Sequence, residues 1–396
     1  MNTFGFRYPG RSGSILLLIL LLLAACTPAG RQTGSRQQAD REAGEVRYAR
    51  LFTIARENGC TRITVAAADS ASRQDPFTYL LVPEGKPVPE DAGEAMVVRI
   101  PLKKVTCENG FQVSLLQMLG RSAALAGVSG KQRVGQDDVH RKIDSGELAV
   151  IGFMRGMNME RLLKTAPDMV FVNTTGVASD VPGKLRSCGL TPGMFSASLE
   201  EHPLGAFEWI RFMGAFFDRD SLADALFSER ERAYLDVQAR VADVKRRPSV
   251  IAGYSRKGAW STMGSSRWFA TMLDHAGADY LFKGKPFERG HLIGQEAGLS
   301  AGMSADFWVN THFRAVSIDD LTGEDSRYGL FRSVRERRVY NNNGSCFANG
   351  RSRFWDTGMT EPHLILADLV SIFHPELMPG HKLKYYRRLD RKPLNQ

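Results

Sequence analysis

The chain is poor in the residues that build metal and thiol centres. It has 5 Cys and 8 His among 396 residues, with no Cys-x-x-Cys and no close His pair at ligand spacing, so a zinc site or a bare-metal site is not expected. It has no run of five or more basic residues, although Lys and Arg outnumber Asp and Glu by 52 to 43. A net charge of +9 scattered in this way lacks the stripe of a nucleic-acid binder; a surface that draws small anions explains it better. His-Glu-x-x-His and Gly-x-x-x-x-Gly-Lys-Ser/Thr are both absent, which removes two large groups of hydrolases and nucleotide enzymes. Long apolar runs are missing too. The longest stretch, Ile15 to Ala25, would span about 16 Å as a helix against ~30 Å of hydrocarbon, too short for a permanent span.

What is present is ordinary globular material: 43% hydrophobic, 24% charged, 38 Gly and 17 Pro. The length fits two domains of roughly 150 residues each. Arg7 and Arg11 ahead of the short apolar run, and Leu23-Ala24-Ala25-Cys26 after it, have the three parts of a secretory signal. The last four residues resemble the bacterial lipobox, so 1–25 is expected to be a signal peptide and Cys26 a lipidated N-terminus. Residues 26–44 are polar, without apolar period, and read as a flexible tether. The expected location is periplasmic, lipid-anchored to a bacterial membrane. Cys60, Cys107, Cys188 and Cys346 then remain, and three pairings, one bridge or simple buried thiols stay open.

Beyond the tether, helix and strand patterns alternate. Arg62–Ala68 and Val97–Lys104 read as strands, and Val113–Leu125 as a helix before a short strand at 126–128. Helices over 159–166 and 181–188 alternate with strands at 168–173 and 194–196, which argues for α/β layers with parallel pairing. Pro203 opens a helix with Ala206, Ile210, Met213 and Phe217 on one face. A second amphipathic helix is expected over 218–247, about 40 Å long, with the stripe Leu226, Ala233, Val237, Val241 and Val244. The alternation then restarts: strands at 249–253 and 306–310, helices at 267–276, 296–303, 331–336 and 362–373. The expected division is therefore 45–217, an N-terminal α/β lobe; 218–247, an inter-lobe spacer helix; and 248–396, a C-terminal α/β lobe.

The halves echo one another. Met157-Asn158-Met159-Glu160-Arg161-Leu162-Leu163 leads to Pro167-Asp168-Met169-Val170-Phe171-Val172-Asn173-Thr174. Gln295-Glu296-Ala297-Gly298-Leu299 leads to Ala305-Asp306-Phe307-Trp308-Val309-Asn310-Thr311. Each half sets a Glu in the first turn of a short helix, then an Asp, an apolar strand and Asn-Thr. An acid in a first turn complements the helix dipole by about 0.3–1 kcal/mol. Its recurrence in both halves marks Glu160 and Glu296 as a pair of docking points.

The blocks Gly156–Arg161 and Lys164–Val170 resemble the Glu-bearing helix and following strand of the ABC-transporter substrate-binding proteins that serve iron-siderophore, haem and cobalamin importers. Trp355–Gly358, Pro362–Leu369 and Phe373–Leu377 are similar to that family's closing segment. The resemblance spans roughly residues 98 to 389. It implies an α/β fold of two Rossmann-like lobes joined by a long rigid α-helix, with the ligand cleft between lobes. It also implies that Glu160 and Glu296 meet arginines of an ABC permease driven by a separate ATPase, and that the protein acts as a monomer with no cofactor.

Loops at the expected strand ends carry Arg155, Asn173, Tyr254, Arg256, Trp260, Arg289, His291, Arg353, Phe354 and Trp355. Arginine forks and aromatic faces suit an anionic, partly aromatic ligand, and a ferric-siderophore-like iron chelate fits that description. Haem is a rival, with His291, His312 or Tyr254 as iron ligands. A cobamide is another, weakened because the aromatic positions seen in the cobalamin binder are Met154 and Asn173 here. A membrane-anchored hydrolase using Glu160 and Glu296 as acid and base is the alternative from a different class.

Overall fold

The computed structural model describes residues 45–66, 76–153, 156–174, 180–262, 267–284, 292–312 and 314–392. The expected signal peptide, Cys26 and the tether over 26–44 lie outside them, as do Met154, Arg155, Arg289 and His291.

A four-stranded sheet opens the described chain, with β1 (Phe52–Glu57), β2 (Cys60–Val65), β3 (Phe77–Pro83) and β4 (Met96–Ile100) side by side in that order. The first three pair antiparallel and β4 runs parallel to β3. The strand expected over 97–104 therefore ends at Ile100. Pro101 follows β4 directly, and a residue without an N–H ends the ladder. The chain then enters a different sheet at β5 (Val105–Cys107).

That second sheet is the core of the first lobe. It adds β6 (Leu125–Val128), β7 (Ala149–Val150), β8 (Met169–Asn173) and β9 (Pro192–Phe195), all parallel, in the order β7-β6-β5-β8-β9. Its crossovers are helices α1 (Gly110–Met118), α2 (Asp137–Asp144), α3 (Met159–Thr165) and α4 (Val181–Ser187). Asn109 and Asn158 cap α1 and α3 by accepting the N–H of Gln112 and Arg161, the side-chain capping expected of Asn. The second lobe is smaller: β10 (Ser249–Ala252) lies between β13 (Asp279–Tyr280) and β15 (Phe307–Val309), again parallel. A separate antiparallel trio, β11 (Tyr254–Arg256), β12 (Ala259–Ser261) and β14 (Leu292–Gly294), stands at its edge, and β16 (Tyr340–Asn341) pairs with β17 (Arg387–Arg388).

The echo of Asp168 and Asp306 acquires a physical meaning here. Asp168 precedes β8, and its Oδ2 accepts the N–H groups of Lys103 and Lys104, just before β5, at 2.7 and 2.8 Å. Asp306 precedes β15, and its Oδ2 accepts the N–H and Oγ–H of Ser249, at the start of β10, both at 2.9 Å. In both lobes one carboxylate fixes the amino end of a strand to that of its parallel neighbour.

Helices α5 (Pro203–Phe216) and α6 (Asp220–Ala239) form a hairpin between the lobes. Every residue of α5 is buried. One side meets the first lobe through Phe171, Phe195 and Tyr79 against Phe212, Phe216 and Trp209. On the second lobe's side it packs with α7 (Arg267–His275), whose Trp268 N–H donates to the Glu200 carbonyl at 3.1 Å. The helix expected over 218–247 is shorter than foreseen, at 20 residues, or about 30 Å. Asp218 takes a positive φ of 53°, which separates it from α5. Its buried face is Ala223, Phe227, Glu231 and Tyr234, rotated from the predicted stripe because the partners include the arginine and tyrosine of the N-terminal arm. Helices α8 (Gln295–Ser304), α9 (Ile318–Glu324), α10 (Arg332–Arg335) and α11 (Pro362–Phe373) complete the second half. All four described cysteines are free, with Cys60 and Cys107 buried and Cys188 exposed.

The arm before β1 is caught by buried acids. Glu208, fully buried in α5, accepts the N–H groups of Arg47, Tyr48 and Ala49 at 2.7 to 2.9 Å. Glu200 accepts those of Arg50 and Leu51 and the Trp209 indole N–H. Glu208→Ala strands three backbone donors and the buried Arg211 guanidinium, which bonds it at 2.9 Å. Such a loss costs about 3 kcal/mol or more, and urea denaturation should show it.

His202 gives the fold a pH dependence. Its Nδ1 accepts the Leu204 N–H at 3.0 Å, and burial, aided by nearby His275, lowers its pKa from 6.5 to about 4. The unfolded chain therefore takes up this proton first as pH falls. The contribution to stability is complete above pH 6.5 and is lost progressively toward pH 4, by ~1–2 kcal/mol after solvent screening. His202→Asn keeps a capping oxygen without the titration, so thermal melts should depend less on pH in that window. An unchanged slope would assign the effect elsewhere, for instance to His363, whose pKa is lowered similarly.

Candidate functional site

Both parallel sheets have a point where strand order reverses, and ligands of such sheets bind outside the carboxyl ends of the strands there. In the first lobe it falls between β5 and β8. Glu108 follows β5, is fully buried, and accepts the Asn173 N–H from the end of β8 at 2.7 Å. Its own N–H donates to Gln112 Oε1 at 2.7 Å, and its carbonyl accepts from Ser129 Oγ and from Arg133 Nε. The Arg133 guanidinium lies over the Phe153 ring at 3.9 Å, and burial lowers its pKa. Gln136 donates to Ser114 Oγ and the Gly110 carbonyl. The floor beneath this strand-end region is thus a buried polar network, rigid because its members fix one another. Sequence reasoning took only Asn173 from it. The signal was there in Thr106-Cys107-Glu108-Asn109-Gly110, polar residues directly after an apolar strand.

In the second lobe the reversal falls at β10, between β13 and β15. The Gly253 N–H donates to the Asn310 carbonyl at 3.0 Å, and the Gly253 carbonyl accepts the Trp308 indole N–H at 2.8 Å. Gly253 has φ of 94°, and a Cβ there would fall 1.9 Å from the Ser261 carbonyl oxygen, so only glycine lets the β11–β12 hairpin fold back. Tyr254 is half-buried, its ring at 90° to that of His312 with centroids 4.6 Å apart. Arg256 is exposed in the same strand. Burial lowers the pKa of His312, against the pull of Glu324.

Among the other expected ligand residues, the fully buried Trp260 and Phe354 serve the scaffold. Trp260 is fully buried, donates its indole N–H to the Ala252 carbonyl at 3.0 Å and packs on Trp308, Tyr328 and Phe331. It offers no face to a ligand, a correction to its expected role. Its place in a strand of alternating burial, with Gly298 giving way to the indole, accounts for this. Arg353 lies over Phe347 at 4.0 Å and donates to the Cys346 carbonyl. Phe354 is fully buried, and the half-buried Trp355 packs against it and Trp268.

These last residues belong to a loop that reaches from the second half to the first lobe. Asp356, fully buried, accepts the Gly135 N–H at 2.8 Å and pairs with Arg351 at 3.0 Å. Ala348 N–H donates to Asp137, and the Asn349 amide to the Gly135 carbonyl. Burial raises the Asp356 pKa, while Arg351 and the Gly135 N–H counter it. A Cβ on Gly135 would meet the Phe347 ring at 2.2 Å, so the loop closes on a bare backbone.

Glu160 and Glu296 stand apart from all of this. Both are exposed in the first turns of α3 and α8, one in each lobe. Arg327 approaches Glu296 at 3.7 Å but gives its bidentate bond to Asp325. Among the described residues no group of three or more His, Cys, Asp or Glu could hold a metal ion.

Two parallel-sheet lobes, a buried helix between them and polar strand ends facing out define a two-lobed solute-binding protein. The chain belongs to the periplasmic binding protein family, whose profile matches residues 105–342. Binding proteins of this family are non-enzymatic, extracytoplasmic parts of ABC importers, and they work with a permease and an ATPase. Two lipoproteins of Methanocaldococcus jannaschii are similar: one is 22% identical over 78% of this chain and 75% of its own length, the other 23% over 95% and 98%. Among solved structures, a nickel-bound protein from Helicobacter pylori aligns with a TM-score of 0.56 at 15% identity, covering 72% of this chain and 88% of that one. A periplasmic haem-binding protein from Pseudomonas aeruginosa gives 0.52 at 18%, covering 74% and 100%. These likenesses establish the fold.

The site geometry separates scaffold from surface. Trp260→Ala should lower unfolding free energy by about 3–5 kcal/mol, whereas Arg256→Ala, on an exposed strand, should change it by less than ~0.5 kcal/mol. Chemical denaturation of the two variants checks the division.

Proposed function

We propose that this chain is a lipid-anchored periplasmic binding protein that captures an anionic, partly aromatic ferric chelate of siderophore type and hands it to an ABC permease. The observation that carries the reading is the matched pair of exposed acids, Glu160 and Glu296, each in the first turn of a helix in its own lobe. Acids so separated cannot share a substrate as acid and base, but they suit two arginine-bearing sockets on a permease. Cys26 is the proposed lipidation site, which the naming of the Methanocaldococcus jannaschii relatives as lipoproteins supports. For the ligand, Arg256 and Tyr254 in the second lobe and Asn173 in the first are the accessible groups at the strand ends. Arg155, Arg289, His291, Arg353 and Trp355 are proposed to contribute from neighbouring loops.

Haem is the second reading. The perpendicular Tyr254–His312 pair favours it, because both residue types ligate haem iron.

The two parts of the proposal are tested separately. Glu160→Ala with Glu296→Ala should leave ligand affinity unchanged and abolish most import in a reconstituted transporter; normal import by the double variant would remove the docking role. Titration with ferric catecholate siderophores should quench tryptophan fluorescence. A Soret shift with haemin, lost in Tyr254→Phe, would instead establish haem as the cargo.

A further inference from the structure

One roomy cavity among the described residues is not at the carboxyl ends of the strands. It is a groove of about 850 Å³ at the opposite end of the second lobe, reached where Pro248 and Asp306 lead into β10 and β15. Its floor is apolar, formed by Phe307, Tyr340, Phe373 and Leu377, and its rim is basic. Cavities of roughly 300–1,000 Å³ hold small organic ligands.

The balance of charge at this groove is what singles it out. Of its acids, Asp306 is occupied by Ser249 and by Arg332 at 2.9 Å, and Glu336 by Arg332 at 2.8 Å and Arg338 at 3.0 Å. Lys245, Arg246 and Arg337 are exposed at the rim and have no ion pair among the described residues. Two exposed acids, Asp243 and Glu376, share the rim, so a ligand here must place its negative charge locally, against the three free cations. A bare phosphate ion would leave the apolar floor unused.

We propose that this groove is a second binding site, which takes the phosphate-bearing headgroup of an anionic phospholipid. The phosphate sits among Lys245, Arg246 and Arg337, and the glycerol and first methylenes lie on the floor of Phe307, Tyr340, Phe373 and Leu377. The reading is independent of the cargo in the first site.

Calorimetric titration of the full chain with monomeric short-chain phosphatidylglycerol tests it, with short-chain phosphatidylcholine and inorganic phosphate as separate arms. Saturable binding of phosphatidylglycerol is expected, with none for phosphatidylcholine. Affinity should fall about tenfold or more in Lys245→Ala/Arg246→Ala/Arg337→Ala, given the loss of charge-assisted contacts. These side chains are exposed, so the variant should fold, and an unchanged thermal melt verifies that. Absence of saturable phosphatidylglycerol binding, equal affinity in the triple variant, or inorganic phosphate binding as tightly as the lipid would each overturn the proposal.

Discussion

Two buried carboxylates hold the architecture together. Glu200 and Glu208 flank the first turns of a helix with no exposed residue, and between them they accept five consecutive backbone N–H groups from Arg47 to Leu51. Burying a carboxylate is costly unless its lone pairs are taken. A run of main-chain donors takes them with groups that would otherwise be unpaired themselves. Burial still raises the Glu200 pKa even against these bonds. The arm can approach only because position 205 is glycine: a Cβ there would stand 2.8 Å from the Tyr48 carbonyl oxygen. With the arm fixed, β1 starts in one place. The four-stranded sheet is then laid over the first lobe, where Tyr79 accepts the Met194 N–H and donates to the Pro192 carbonyl, each at 2.9 Å.

The lobes are joined twice. One join is the α5–α6 hairpin, which packs on strands of the first lobe through Phe171 and Phe195 and on α7 of the second through Tyr234 against His275. The other is the loop carrying Arg351 and Asp356, whose buried ion pair sits against the bare backbone of Gly110 and Gly135. Opening the lobes widely would break the bonds this loop makes to the first lobe, among them the Gly135 N–H to Asp356 and the Asn349 amide to the Gly135 carbonyl, each worth about 1 kcal/mol. Such contacts oppose wide opening, and loops already in place bind with less ordering cost.

Element type was largely readable from the sequence because apolar periodicity and punctuation agree. The helix over Pro362–Phe373 and the alternation from 159 to 196 follow from pattern alone. Boundaries failed where a backbone detail decided them, as at Pro101 and at Asp218. The face of α6 was misread because its buried positions include Glu231, a residue that hydropathy assigns to water but that Arg47 pairs with at 2.7 Å. The site was the least legible part. Composition singled out Arg256 and Tyr254, which stay accessible, but the same rule chose Trp260, since nothing in a tryptophan's neighbours along the chain says which side of a short strand it will occupy. Glu108 was missed because a buried carboxylate bonded to a main-chain N–H leaves no mark in the sequence beyond its place after a strand.

The repeated Glu and Asp of the two halves show how a sequence echo divides between folding and function. Asp168 and Asp306 do the same structural work in both lobes, each tying two parallel strands at their amino ends. Glu160 and Glu296 have no comparable structural bond; Arg327 is nearer to Asp325 than to Glu296. Carboxylates placed alike in both lobes and held so lightly inside their own fold are available to a partner outside it, as the proposed docking requires. In the second lobe, α8 carries Glu296 in its first turn and ends at Ser304, two residues before Asp306, so its ~15 Å length separates that acid from the basic groove. The net charge of +9 carries no long basic run, and it is the fold that brings Arg337 beside Lys245 and Arg246, a grouping no local stretch of sequence displays.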